Sequence, residues 1–136
     1  MFIPKIKSAV NNIIASQLRS PEDLKIGMEV ENLVYTQQMN RIPVNPGTNF
    51  STPNMKERLE RKNSEKDISP TLTIEPGGQI EYASQPYKSL HNLDREWKVY
   101  ISNLIKVAEE ENLVVSDLAV EPVIPAQHIT IIDNRK

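Results

Sequence analysis

The sequence predicts an α+β fold, a sheet flanked by helices, and three observations lead there. Residues 25–35 and 71–82 alternate apolar and polar side chains with the period of a strand. Residues 90–108 carry one apolar stripe at helical spacing, and a second such stripe occupies the N-terminus. At 136 residues the chain is long enough for one domain with a genuine core.

Ile3, Ile6, Val10, Ile13 or Ile14, and Leu18 recur as one face of an amphipathic N-terminal helix. Ser20-Pro21-Glu22-Asp23 ends it and leads into the first strand. Along that strand Ile26, Met28, Val30 and Val34 point one way, and Glu29 and Glu31 the other. Residues 37–69 turn polar, with Pro43, Pro46, Gly47 and Pro53, and read as a long loop. Inside it a short helix is predicted, with Thr52 as N-cap, Pro53 in the first turn, and Met55 and Leu59 on one face.

In the second strand-like segment Leu72, Ile74, Ile80 and Tyr82 oppose Thr73, Glu75, Gln79 and Glu81. Pro76-Gly77-Gly78 interrupts it. Either the backbone bulges there, or the three residues turn a hairpin whose halves pair with each other. The strongest helix follows, with Ser89 as N-cap, Leu90, Leu93, Trp97, Ile101, Leu104 and Ala108 as its stripe, and Asn112 at its C-terminal stop. Trp97 and Tyr100 are expected in the core, and His91, off the apolar stripe, is read as a surface or packing histidine and not a catalytic base. Short strands are expected at residues 118–121 and 128–132, divided by Pro122 and Pro125.

Composition narrows the function classes. A formal net charge of -2 argues against nucleic acid as a partner. No apolar run is long enough to span a bilayer, so no membrane partner is expected. Lys5 and Lys7 break any signal-peptide core at the N-terminus, which makes the cytoplasm the expected location. Without cysteine there is no disulfide, thiolate nucleophile or cysteine zinc site. No glycine-rich lysine loop for phosphate and no serine–histidine–aspartate arrangement is present, and no side chain is assigned a catalytic role.

The chemistry therefore rests on carboxylates. Glu29, Glu31, Glu75 and Glu81 share one parity in two separate segments. Two ionised carboxylates about 7 Å apart on one strand face repel by about 2 kcal/mol at an effective dielectric of about 20. Either these glutamates sit on a solvated outer face, where they cost little, or a divalent cation neutralises them. Magnesium suits the second reading, because it takes oxygen ligands and bridges phosphate oxygens. Arg41, in the loop, could reach a phosphate or a carboxylate.

The stretch Ile26-Gly27-Met28-Glu29-Val30-Glu31 resembles the Gly-x-Glu-x-Glu strand of glutamate–cysteine ligases of the plant and proteobacterial type. Ile74-Glu75-Pro76-Gly77-Gly78-Gln79-Ile80-Glu81 is similar to that family's Glu-Pro-Gly-Gly-Gln-x-Glu signature, and Ser89-Leu90-His91-Asn92 to the start of the helix after it. The resemblance covers the chain from about Ile26 onward. It implies an antiparallel sheet with flanking helices, part of a glutamine-synthetase-like cup holding ATP, magnesium and glutamate. It also implies an ATP-dependent ligase that makes γ-glutamylcysteine from glutamate and cysteine through a γ-glutamyl phosphate, in glutathione biosynthesis. On this footing Glu29, Glu31, Glu75 and Glu81 would bind magnesium, and these four with Gln79 would form the ATP site. Members of the family run to several hundred residues. The whole chain, residues 1–136, is accordingly expected to be the N-terminal portion of such a catalytic domain, with 37–69 as a polar loop insertion. It is expected to be inactive without the missing C-terminal portion. A ligase using another amine, or a non-catalytic binding or regulatory module that retains the strands, are the alternatives.

Overall fold

Helix α1 (Ile3–Gln17) forms where the N-terminal stripe predicts it. The computed structural model describes residues 3–47, 49–116, 118 and 120–133, with the side chains of α1 described from Lys5 onward. Those side chains are all exposed: Ile6, Val10, Ile13 and Ile14 face solvent, not the sheet. A 3-10 turn at Pro21–Asp23 follows, and Ile26 makes one antiparallel bridge with Tyr87 before β1 (Glu29–Thr36) begins.

After β1 the chain reverses at Met39, whose φ is 60°, and residues 41–42 return beside the strand. Ile42 and Val44 are buried there. The short helix expected within residues 37–69 is α2 (Thr52–Glu65), 14 residues long. Its N-cap is Ser51, one residue earlier than expected. The Ser51 N–H donates to Asn54 Oδ1 at 3.0 Å and the Ser51 hydroxyl to the same oxygen at 2.6 Å, closing the first turn. Met55 and Leu59 are fully buried, so this polar stretch supplies core after all.

β2 (Thr71–Ile74) and β3 (Ile80–Ala83) are the two arms of a hairpin, which settles the Pro-Gly-Gly question in favour of a turn. The Gly78 N–H donates to the Glu75 carbonyl at 2.7 Å, and the Glu75 N–H to the Gln79 carbonyl at 2.9 Å. Gly78 takes φ +82°, a conformation open to glycine at little cost.

Helix α3 (Leu90–Glu110) starts after Ser89 as predicted and stops beside Asn112, at φ 53°. Its buried face is rotated from the predicted stripe. Tyr100, Leu104 and Val107 are fully buried, Trp97 and Ile101 only half, and Leu90 is exposed. Leu93 and Ala108 are buried as expected. The rotation brings Glu96 and Asn103 inside, and sequence periodicity alone leaves both outside.

β4 (Leu113–Ser116) follows directly, where no strand was expected. The strands expected at 118–121 and 128–132 do not form among the described residues; Ala119 lies outside them. Residues 126–128 make a 3-10 turn instead. Pro122 and Pro125 remove ladder donors here, whereas Leu113-Val114-Val115 carries two β-branched valines and no proline.

The fold is α+β, with an antiparallel sheet in the order β2-β3-β1-β4. One face carries Val34, Leu72, Ile80 and Tyr82 against Met55 and Leu59 of α2 and Tyr100, Leu104 and Val107 of α3. Tyr82, Trp97 and Tyr100 stack as a trio with centroids 4.4–5.6 Å apart. The C-terminal arm crosses the opposite face. There the Glu121 carboxylate accepts from the Tyr35 hydroxyl at 2.9 Å, and the Ile132 N–H donates to the Pro76 carbonyl.

Candidate functional site

The β1–β3 register places Glu31 directly opposite Glu81 and Glu29 opposite Ala83. Glu29, Glu31 and Glu81 therefore project from the same side of the sheet, away from α2 and α3. Thr73 on β2 also stands opposite Glu81, and its hydroxyl donates to Glu81 Oε2. Glu29 and Glu31 are exposed, while Glu81 is half-buried.

Glu75 reaches this group from the hairpin turn. Its carboxyl is held above the ordinary range by desolvation, by the charges of Glu81 and Glu31, and by a hydrogen bond with Glu81. Among the described residues no lysine or arginine lies within ion-pair distance of any of the four glutamates. Opposed like charges on neighbouring strands are destabilising, so this face is short of positive charge.

Gln79 belongs to the turn. Its amide oxygen lies 2.7 Å from where a Cβ on Gly77 would be, so a side chain there would have to push the Gln79 amide aside. That oxygen is buried, and among the described residues no donor reaches it. An acceptor in this condition calls for a hydrogen-bond donor.

The oxygen-only donor set suits magnesium, and Glu29, Glu31, Glu75 and Glu81 are the residues that would hold it. In this conformation, among the described residues, no three acidic or histidine side chains are gathered closely enough to grip an ion. Such a face can recruit a cation through charge, and would have to draw its side chains together around it.

Arg41 is engaged elsewhere. Its Nη1 meets Glu121 Oε2 at 2.7 Å, and its Nη2 donates to the Gly77 carbonyl at 2.7 Å. It therefore braces the hairpin turn, with both terminal nitrogens engaged within the chain. The partner, Glu121, was not singled out in the sequence, because a lone glutamate before a proline has no distinguishing pattern.

Glu96 is the second unanticipated residue. It is buried and accepts from the hydroxyls of Tyr82 at 2.8 Å and Tyr87 at 2.7 Å, and from the Gln85 N–H at 3.3 Å. These bonds tie α3 to the end of β3. His91 and His128 are both exposed.

The fold and its face define an α+β protein whose antiparallel sheet presents glutamates on one side and a hydrophobic core on the other. No known family model matches the chain, and no curated protein matches it either.

Proposed function

We propose that this chain is part of an ATP-dependent carboxylate–amine ligase of the glutamate–cysteine ligase type, acting in the cytoplasm. Glu29, Glu31, Glu75 and Glu81 bind magnesium, and these residues with Gln79 contact ATP. The observation that carries the reading is Glu31 standing opposite Glu81, with Glu75 drawn to the pair and no cationic side chain in reach among the described residues. Bound magnesium would supply the missing charge and orient the phosphates of ATP.

The rest of the assignment is carried by the two glutamate motifs. The Gln79 amide oxygen, buried in the Gly77–Gln79 turn, would have to swing outward to accept from a donor on the substrate. Basic groups for the phosphates and the pocket for the amine would come from the missing C-terminal portion of the enzyme. Glutamate and cysteine are the substrates that the motifs favour.

Titration calorimetry with magnesium alone and with magnesium–ATP tests the proposal. Binding that disappears in Glu31→Gln and Glu81→Gln, with the helical circular dichroism unchanged, supports it. Equal binding by the wild type and both variants removes the carboxylates from the site. No binding, even with a complementing C-terminal piece, favours a non-catalytic module.

A further inference from the structure

The two edges of β1 are used unequally. Met28 and Val34 accept hydrogen bonds from Ser84 and Ile42, and Ile26 exchanges two with Tyr87, so the even-numbered residues address the β3 side. Odd-numbered residues address the other side, where β4 pairs only with residues 33–36. The backbone N–H and C=O groups of Glu29 and Glu31 therefore turn towards an edge where, among the described residues, no strand stands.

A groove of about 810 Å³ occupies that edge. One wall is the strand from Glu29 to Asn32, with Glu81 beside it. The other is mostly apolar, formed by Trp97, Ile101 and Ile105 of α3 together with Val115, Ser116 and Leu118 at and just beyond the end of β4. Ile105 is 46% exposed, a large aliphatic side chain beside strand backbone that no strand pairs among the described residues.

We infer that this groove receives one extended segment of a second polypeptide, added as a strand to the open edge of β1. The pleat dictates its chemistry. Residues opposite Glu29 and Glu31 lie on the acidic face, and those opposite Val30 and Asn32 face α3. The segment therefore alternates basic side chains, which neutralise Glu29 and Glu31, with apolar ones, which cover Ile101 and Ile105. A second copy of this chain using its own β1 edge is excluded, because that pairing sets Glu29 and Glu31 against their own copies. The inference needs no bound metal and is tested without one; a basic segment and magnesium would compete for Glu29 and Glu31.

A short acetylated peptide alternating lysine with valine, added to the full chain in a chelating buffer, is the probe. Trp97 is the only tryptophan and lines the groove, so its fluorescence reports occupancy. The expected result is a saturable change in emission, with the amide protons of Glu29 and Glu31 becoming slow to exchange. Ile105→Lys, on an exposed position, should weaken binding about tenfold by removing apolar contact and repelling the peptide. A peptide N-methylated at its edge-facing residues should not bind. Absence of binding by the lysine–valine peptide overturns the inference. So does equal binding by the N-methylated peptide or by one with glutamate for lysine, and so does an emission change without protection of those two amides.

Discussion

Arg41 and Glu121, 80 residues apart in sequence, form an ion pair at 2.7 Å in which each side chain is only 10% exposed. Around it the Glu121 carboxylate also accepts from Tyr35 and from the Val123 and Ile124 N–H groups. The pair fastens the C-terminal arm over the sheet and steadies the turn next to the glutamates.

Burial pushes the Glu121 carboxyl up, but the Arg41 hydrogen bond, the two backbone N–H groups and Tyr35 outweigh it, and the group rests at about 2. A depressed carboxyl stabilises the fold above its unfolded value of 4.5 and loses that contribution as pH falls towards about 2. The arm should therefore loosen on acidification through that window, seen as faster exchange of the Val123 and Ile124 amides. Arg41→Ala removes the cation but leaves the carboxylate its Tyr35, Val123 and Ile124 donors, and should cost about 1–3 kcal/mol in urea unfolding.

Glu75 carries the opposite sign. Its raised carboxyl favours the protonated form in the folded state, so its contribution to stability is present at low pH and lost as pH rises through its folded value. Glu81→Gln removes a neighbouring charge, and the Glu75 titration should then move down, towards 4.5, when followed by carbon NMR. Added magnesium should move it the same way in the wild type, and should move it less in the variant. A titration unaffected by either change would mean that the carboxylates do not share one field.

Gly78 is the position least able to accept a side chain. An added Cβ would meet Val44 Cγ1 at 2.1 Å, and the backbone already sits at φ +82°. Gly78→Ala should destabilise by about 1–3 kcal/mol. Combining it with Val44→Ala should recover the steric part alone, giving a non-additive double-mutant cycle.

Glu96→Ala should be among the costlier single changes on α3. It leaves the buried Tyr82 hydroxyl without its acceptor, at about 1–3 kcal/mol, and also removes the acceptor of the Tyr87 hydroxyl. Glu96→Gln keeps an acceptor and should lose less, a difference measurable by chemical unfolding. Burial, followed by the Glu96 bond, holds the Tyr82 phenol well above its ordinary value. Ultraviolet titration should show Tyr82 staying neutral until the fold opens.

Much of this architecture was legible in the chain. Alternation along residues 25–35 and 71–82 separated the glutamates from the apolar back, and the structure keeps that separation. Ser89 and Asn112 bracketed α3 within a residue or two, since caps are set by local backbone chemistry. β4 escaped notice because four residues are too few for a period to declare itself, and the proline-flanked tail drew the strand prediction instead. The buried face of α3 was misjudged because Glu96 and Asn103 read as surface residues until their partners, Tyr82 and Asn63, are known.

By itself the sequence determined which side of each strand is acidic, where α3 begins and ends, and that Pro-Gly-Gly must break an extended run. Those properties follow from steric rules acting between near neighbours along the chain. Only the tertiary structure decided that Glu31 stands opposite Glu81, that Arg41 is spent on Glu121, and that β4 pairs with residues 33–36 of β1. Such pairings join residues tens of positions apart, and they depend on hairpin register and on how the helices pack across the sheet.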